Sequence, residues 1–441
     1  MSIAMPDERS FSTGELLSVI DGNINLVDCR PPDAYNGWRI RNEVRGGHIP
    51  GARNLASSWI GGDEFRQALS AKDLDPGIVT AVYGYDEEDA GSMMEALSKA
   101  GFRDLRSYPH FTEEWLADPE LPLSRLPGFR KLVHAEWLHE LIRGGRPDEY
   151  ENDAYVICHA HYRNPEDYSM GHIPGAVALD TLSLEEPEGW NRRSPGELEE
   201  SLSALGIDAD TTVILYGRYG SPDSSDPFPG SRAGQIAAMR CAVIMMYAGV
   251  KDVRVLNGGL MSWQGIGYGI DSSPVMPERS DHFGADIPGR PELMIDLPGA
   301  RDVLESDDAD LVSVRSWKEF IGEVSGYNYF DRAGRIPGAV FGDCGSDAYH
   351  MENFRNPDHT MREYGEIERN WLSAGLSPAR RTSFYCGTGW RASEAFFCTH
   401  LLGWKDISVY DGGWMEWSGD PSNPVATGVP PGGGGRNRRQ D

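Results

Sequence analysis

One hexapeptide pattern occurs three times in the chain and constrains the fold more than any other feature. Gly47-His48-Ile49-Pro50-Gly51-Ala52 returns as Gly171-His172-Ile173-Pro174-Gly175-Ala176, and again as Gly334-Arg335-Ile336-Pro337-Gly338-Ala339. A motif repeated at such an interval marks an array of like units. Each copy follows a short apolar run: Leu26-Val27-Asp28-Cys29-Arg30, Tyr155-Val156-Ile157-Cys158 and Leu311-Val312-Ser313-Val314-Arg315. A second β-rich run lies downstream of each: Val79-Thr80-Ala81-Val82-Tyr83, Thr212-Val213-Ile214-Leu215-Tyr216 and Thr382-Ser383-Phe384-Tyr385. These compositions suit buried strands. Helical stretches follow at 92–100, 235–248 and 393–402. The later two units close on Val255-Leu256-Asn257-Gly258-Gly259 and Val409-Tyr410-Asp411-Gly412-Gly413, which run on to Trp263 and Trp417. Strands alternating with helices imply a parallel sheet covered on both faces. The chain therefore reads as three α/β domains, 1–126, 127–275 and 276–429, with a Pro/Ser-rich linker at 274–277 and a tail, 430–441, expected to be disordered.

Composition narrows the function. At 441 residues the chain is too long for one ordinary core. A net charge of −27 argues against nucleic acid and anionic membrane as partners, since both need basic patches. The longest apolar run, 241–250, is half a membrane span, and the first ten residues lack the apolar core of a secretory signal. Six cysteines lie scattered at 29, 158, 241, 344, 386 and 398. With no Cys-x-x-Cys pair, neither a zinc site nor a disulfide framework is indicated, and a reducing cytoplasm is the expected location.

One of these cysteines has the surroundings of a nucleophile. Cys386-Gly387-Thr388-Gly389-Trp390-Arg391 joins an apolar strand to a helix. The positive end of that helix favours a thiolate. Gly387 and Gly389 let the backbone turn so that successive N–H groups form an anion nest. Arg391 adds a fixed cation, and Thr388 and Ser393 supply hydroxyl donors. Two-step covalent catalysis is expected, with Cys386 taking sulfur from a donor and passing it on. Cys398 lies among Phe396, Phe397 and Leu401 and reads as core, as do Cys29, Cys158 and Cys241. Cys344, in Gly342-Asp343-Cys344-Gly345-Ser346, sits in a loop that could face the site and relay sulfur.

The other two units lack the nucleophile. Gly84 and Gly217 stand where Cys386 would, and Asp89 takes the place of Arg391 in the first unit. The second unit keeps Arg232, but after a longer Pro- and Ser-rich loop, 220–230. Both units read as scaffold, or as walls of the third unit's entrance.

The Gly-His-Ile-Pro-Gly-Ala element, combined with Cys-x-x-x-x-Arg-x-Ser at a strand–helix junction, resembles rhodanese domains over residues 10–425. The resemblance implies sulfur transfer. The six-residue loop is one residue shorter than phosphatases of this design use, and it suits a single sulfur. It also lacks the extra cations expected for thiosulfate, and the bulky Trp390 suits an organic acceptor or a quaternary ammonium. Around its own hexapeptide the third unit carries insertions rich in Tyr, His, Asp and Asn. They include Ser325-Gly326-Tyr327-Asn328-Tyr329 and 356–361, and repeat two covers the first stretch in fewer residues, counting His159 to Gly171 against Arg315 to Gly334. These insertions read either as polar surface loops or as a lid over Cys386.

The third unit is similar to the rhodanese-like, polysulfide-dependent ergothioneine synthases. That similarity rests on the Cys386–Arg391 loop, the Tyr327 segment and Asp343-Cys344-Gly345. It implies a persulfide on Cys386, polysulfide as donor, and the imidazole C2 of hercynine, the trimethylated betaine of histidine, as acceptor. It further implies that Tyr327 and Glu319 contact the imidazole or carry protons. Tyr385 and Trp390 would face the trimethylammonium, and Asp343 would join the acceptor site. No metal and no cofactor beyond the covalent persulfide is expected. Two other readings stay open: a thiosulfate or 3-mercaptopyruvate sulfurtransferase, and a non-catalytic binding array.

Overall fold

The computed structural model describes residues 10–218, 234–328 and 330–430. Arg232, the 220–230 loop, Tyr329 and all of the tail beyond Pro430 lie outside these described residues. Among the described residues there are three parallel sheets. The first holds β1 (Asn25–Asp28), β2 (Arg53–Asn54), β3 (Thr80–Tyr83) and β4 (Leu105–Ser107), in the order β2-β1-β3-β4. The second holds β5 (Leu132–Val133), β6 (Tyr155–His161), β7 (Val177–Asp180), β8 (Thr212–Gly217) and β9 (Asp252–Leu256), in the order β5-β9-β8-β6-β7. The third repeats that order with β10 (Met294–Ile295), β11 (Ala309–Ser313), β12 (Val340–Phe341), β13 (Arg381–Tyr385) and β14 (Ile407–Tyr410), as β10-β14-β13-β11-β12. Every residue of β1, β3, β8 and β14 is buried, as expected of parallel strands covered by helices on both faces.

The chain forms two compact units. One comprises residues 1–129 together with 356–363, and the other comprises 130–355 with 364–441. The segment 356–363 is held by repeat-one side chains. Trp59 Nε1 donates to Asp358 at 2.8 Å, and Glu363 pairs with Arg53 at 2.8 Å and with the buried Lys72 at 3.1 Å. This part of the third-repeat insertion is thus a component of the first unit.

The repeated hexapeptide is a structural latch. In each repeat the backbone N–H of its isoleucine donates to the hydroxyl of the tyrosine at the end of the central strand. The pairs are Ile49 to Tyr83 at 3.1 Å, Ile173 to Tyr216 at 2.8 Å and Ile336 to Tyr385 at 3.3 Å. An arginine donates to the carbonyl of the motif's first glycine: Arg30 to Gly47, Arg218 to Gly171 and Arg315 to Gly334. His48 and His172 stack on Tyr35 and Tyr168 at 3.6 and 3.9 Å between ring centroids, and each donates to its tyrosine's own carbonyl. Burial pushes the His48 imidazole down to about 4, so it is neutral and structural. In the third repeat Arg335 does the same work, lying over the Phe320 ring and donating to the Phe320 carbonyl.

The latch fixes the alignment of the repeats. Tyr83, Tyr216 and Tyr385 are equivalent, so Gly84, Gly217 and Cys386 occupy one structural position. The ladders pair Ser313 with Tyr385 and His159 with Tyr216, which aligns Arg315 with His161, not with His159. The insertion between Arg315 and Gly334 is therefore to be measured against the stretch from His161 to Gly171 in repeat two, which is shorter than the stretch from His159.

Candidate active site

Cys386 follows the last residue of β13, which lies inside its sheet between β11 and β14. Ligands of open α/β sheets bind in this region, outside the carboxyl ends of the strands. The loop ends at Gly389, which caps helix Trp390–Leu401 in the left-handed conformation at φ 84°. A side chain on Gly389 would be strained there, and its Cβ would come within 2.8 Å of the Asp411 carbonyl. The carbonyls of Cys386 and Gly387 accept from the N–H groups of Trp414 and Met415, at 2.8 and 2.9 Å. These donors open helix Gly413–Gly419. Planar trans peptides then direct the N–H groups of Gly387 and Thr388 to the opposite side, the arrangement an anion nest requires. The Cys386 residue is only 1% exposed, and the positive end of helix Trp390–Leu401 lies just beyond it in the chain.

Arg391 is buried at the centre of a charged cluster. Its Nη2 and Nη1 donate to the two oxygens of Glu319 at 2.8 and 3.0 Å, in a bidentate fork. Nη2 also donates to the Tyr327 hydroxyl, and Nη1 reaches the Asp347 carbonyl and the Cys344 sulfur, each at 3.3 Å. Glu319 is fully buried and does double duty. Ser316 caps helix Trp317–Ile321, and Glu319 completes the capping box by accepting from the Ser316 N–H and hydroxyl at 3.0 and 2.8 Å. Burial alone would raise the Glu319 carboxyl, but the Arg391 guanidinium holds it below the usual carboxylate range. Burial likewise opposes the charge on Arg391, and Glu319 outweighs it.

The Tyr327 ring lies against the loop. A Cβ on Gly387 would fall 2.4 to 2.7 Å from the Tyr327 ring and hydroxyl, so only glycine permits this approach. The half-buried Tyr327 thus touches the residue next to Cys386 while its hydroxyl is held by Arg391.

Other residues expected in the site are placed differently. Tyr385 is fully buried, and its hydroxyl serves the Ile336 latch within the cluster that includes Trp414 and Trp417, so it does not face an acceptor. A strand-end aromatic points into one face of the sheet, and here that face is core. Glu319 is committed to Arg391 and its own helix, which makes it a positioning residue and not a proton carrier. The Ser393 hydroxyl donates to the Gly389 carbonyl at 2.8 Å, fastening the loop from inside the helix. Thr388 is buried within the loop. Asp343 is exposed, and its carboxylate accepts from the Gly345 N–H at 3.2 Å. Burial pushes the Cys344 thiol well up, which disfavours a thiolate for sulfur relay.

Trp390 is half-buried and turned toward repeat two. Its Nε1 donates to Glu185 at 3.0 Å, and its ring meets Tyr162 edge-on at 5.5 Å between centroids. Glu185 is also bound by Arg240, which pairs in turn with Asp411 at 2.6 Å. None of Glu185, Arg240 and Asp411 is recognisable from local sequence as a site residue. The one available signal is Arg240 itself, a lone cation inside the apolar stretch 235–248.

Among the described residues no group of side chains could hold a metal ion, and no helix is long and apolar enough to cross a membrane. The family model for the rhodanese-like domain matches residues 12–118, 135–266 and 299–420. The thiosulfate sulfurtransferase YnjE of Escherichia coli (strain K12) is 41% identical over 410 residues, covering 92% of this chain and 89% of that protein. The wild-type structure of EanB superposes with a TM-score of 0.93 at 50% identity, over 96% of this chain and 99% of the other. An EanB variant in complex with ergothioneine superposes with the same score, over 96% of this chain and 100% of the other. EanB has also been solved with hercynine, and with ergothioneine beside a persulfidated cysteine. This chain belongs to the rhodanese-like family and carries three copies of its domain.

Proposed function

We propose that the chain is a sulfurtransferase. Cys386 carries sulfane sulfur as a persulfide and delivers it to the imidazole C2 of hercynine, with polysulfide as donor and ergothioneine as product. The observation that carries this reading is Tyr327, laid on Gly387 beside the nucleophile and held through its hydroxyl by Arg391. A small acceptor such as cyanide has no use for such a group, whereas an unreactive ring carbon needs a partner for its proton. The tyrosine, cysteine and threonine singled out in the EanB structures stand at the same separations along the chain as Tyr327, Cys386 and Thr388.

In the first step the Cys386 thiolate bonds to a sulfane sulfur. The donor's S–S bond breaks, and a polysulfide shorter by one sulfur leaves with the electron pair. The N–H groups of Gly387 and Thr388 face the outer sulfur of the persulfide. In the second step a C–S bond forms at C2 and the persulfide S–S bond breaks with its pair on Cys386. The ring proton departs by way of the Tyr327 hydroxyl. No metal or organic cofactor is needed, because the oxidising equivalent arrives with the sulfane sulfur. Repeats one and two, with Gly84 and Gly217 in the nucleophile's position, carry no sulfur. The buried, unbridged cysteines fit a reducing cytoplasm.

The likeness to YnjE favours a second reading, thiosulfate sulfurtransferase. The two separate in one assay. Polysulfide with hercynine should give ergothioneine at a steady rate, while thiosulfate with cyanide should give thiocyanate far more slowly. Rapid thiocyanate formation without ergothioneine would favour the second reading.

A further inference from the structure

Repeat two has no nucleophile, yet it reaches the cysteine loop of repeat three. Its helix Gly234–Ala248 packs against helix Trp390–Leu401. From inside that contact Arg240, fully buried, donates to Glu185 at 2.9 Å and to the Trp190 carbonyl and Asp411 at 2.6 Å each. Its remaining nitrogen, Nη1, has no hydrogen-bond partner among the described residues and lies 2.9 Å from where a Gly389 side chain would begin. The same Glu185 oxygen accepts from Trp390 Nε1 at 3.0 Å. Repeat two therefore holds two consecutive loop residues, Gly389 by contact and Trp390 by a hydrogen bond.

Asp411 extends this grip to the far side of the loop. It begins the turn into helix Gly413–Gly419, whose Trp414 and Met415 N–H groups hold the Cys386 and Gly387 carbonyls. Its other oxygen accepts from the Arg192 N–H at 2.9 Å and from the Arg192 guanidinium at 2.8 Å. Repeat two has Asn257 at the matching place, where its N–H bonds to Val133 as that of Asp411 bonds to Ile295. At this position the third repeat carries a carboxylate, which meets Arg240 and Arg192 of repeat two, where repeat two itself carries an uncharged amide.

We propose that Arg240 is a positioning residue for the third repeat's chemistry: it clamps Asp411 and backs Gly389, so that the amide nest around Cys386 is assembled across the boundary between repeats two and three. This rests on Cys386 being the sulfur carrier. It explains why a repeat without a nucleophile is retained beside one that has it.

The test uses Arg240→Met, Arg240→Lys and Asp411→Asn in the full chain, each checked for folding by circular dichroism. Two quantities are read: the rate at which Cys386 gains sulfur from polysulfide, by peptide mass, and the pH dependence of its alkylation by iodoacetamide. Arg240→Met should slow sulfur uptake by about tenfold or more and move the alkylation midpoint to higher pH. Arg240→Lys should recover part of both, because it restores the charge without the fork. If Arg240→Met does not fold, Asp411→Asn decides, since asparagine is already accommodated at the matching place in repeat two. Parent-like uptake with an unmoved alkylation midpoint, in a folded Arg240→Met or Asp411→Asn, overturns the proposal. If the parent takes no sulfur on Cys386, the function proposed above fails, while the alkylation midpoint still tests the clamp.

Discussion

Glu319→Gln isolates the charge that holds Arg391. The substitution keeps the shape of the side chain and one carbonyl acceptor for the Ser316 cap, but it removes the counter-ion from a guanidinium that is 2% exposed. Removing one partner of a buried ion pair costs about 3–5 kcal/mol. The retained acceptor places this variant at the lower end, about 3 kcal/mol, or roughly a hundredfold in the unfolding equilibrium. Urea denaturation followed by tryptophan fluorescence reads the effect. The sign of the pH dependence follows from the direction of the Glu319 shift. Its carboxyl is held below the ordinary value of 4.5, so its contribution is complete above that pH and is lost as pH falls through the folded value. Parent and variant should therefore differ most near neutrality and converge in acid. A variant as stable as the parent at neutral pH, or a difference unchanged into acid, would refute the reasoning.

Tyr327→Phe should lower transfer to hercynine by about a hundredfold, as loss of a general acid–base group does, while sulfur loading and cyanide-driven release of the sulfur stay near the parent rates. Gly387→Ala should imitate that defect, because its Cβ would sit 2.4 Å from the Tyr327 ring, and should add about 1–2 kcal/mol of destabilisation measurable in urea. Gly84→Cys should gain no sulfur on its new thiol in a polysulfide assay read by mass. Its Cβ would lie 2.6 Å from the Cys29 sulfur and 2.9 Å from Asp89, and no cation replaces Arg391 there.

The repeats were legible because their signal is local. A glycine in the left-handed region, a proline and an isoleucine whose N–H must meet the strand-end tyrosine leave the same trace three times. The cysteine loop was legible for the same reason, since two glycines and an arginine at a strand–helix junction are contiguous. Tyr385 misled because adjacency to Cys386 along the strand places it on the opposite face of the sheet. Glu319 carried a readable sign, the Ser316-x-x-Glu319 capping signature, which points to an anchored carboxylate. The Glu185–Arg240–Asp411 cluster was not readable, because its members are far apart in sequence and meet only through packing of the second and third repeats. Nor was the placement of 356–363 in the first unit, which depends on Arg53, Trp59 and Lys72 far upstream.

The central claim is that sulfur passes through Cys386 to a ring carbon, and a single-turnover experiment tests it most directly. The protein is loaded with polysulfide, freed of excess donor and mixed with hercynine, and both the Cys386 peptide and the small molecules are followed by mass spectrometry. The account predicts one added sulfur on Cys386 that disappears as an equal amount of ergothioneine forms, and neither event in Cys386→Ala. Sulfur retained on Cys386 in the presence of hercynine, or ergothioneine formed by Cys386→Ala, would contradict it.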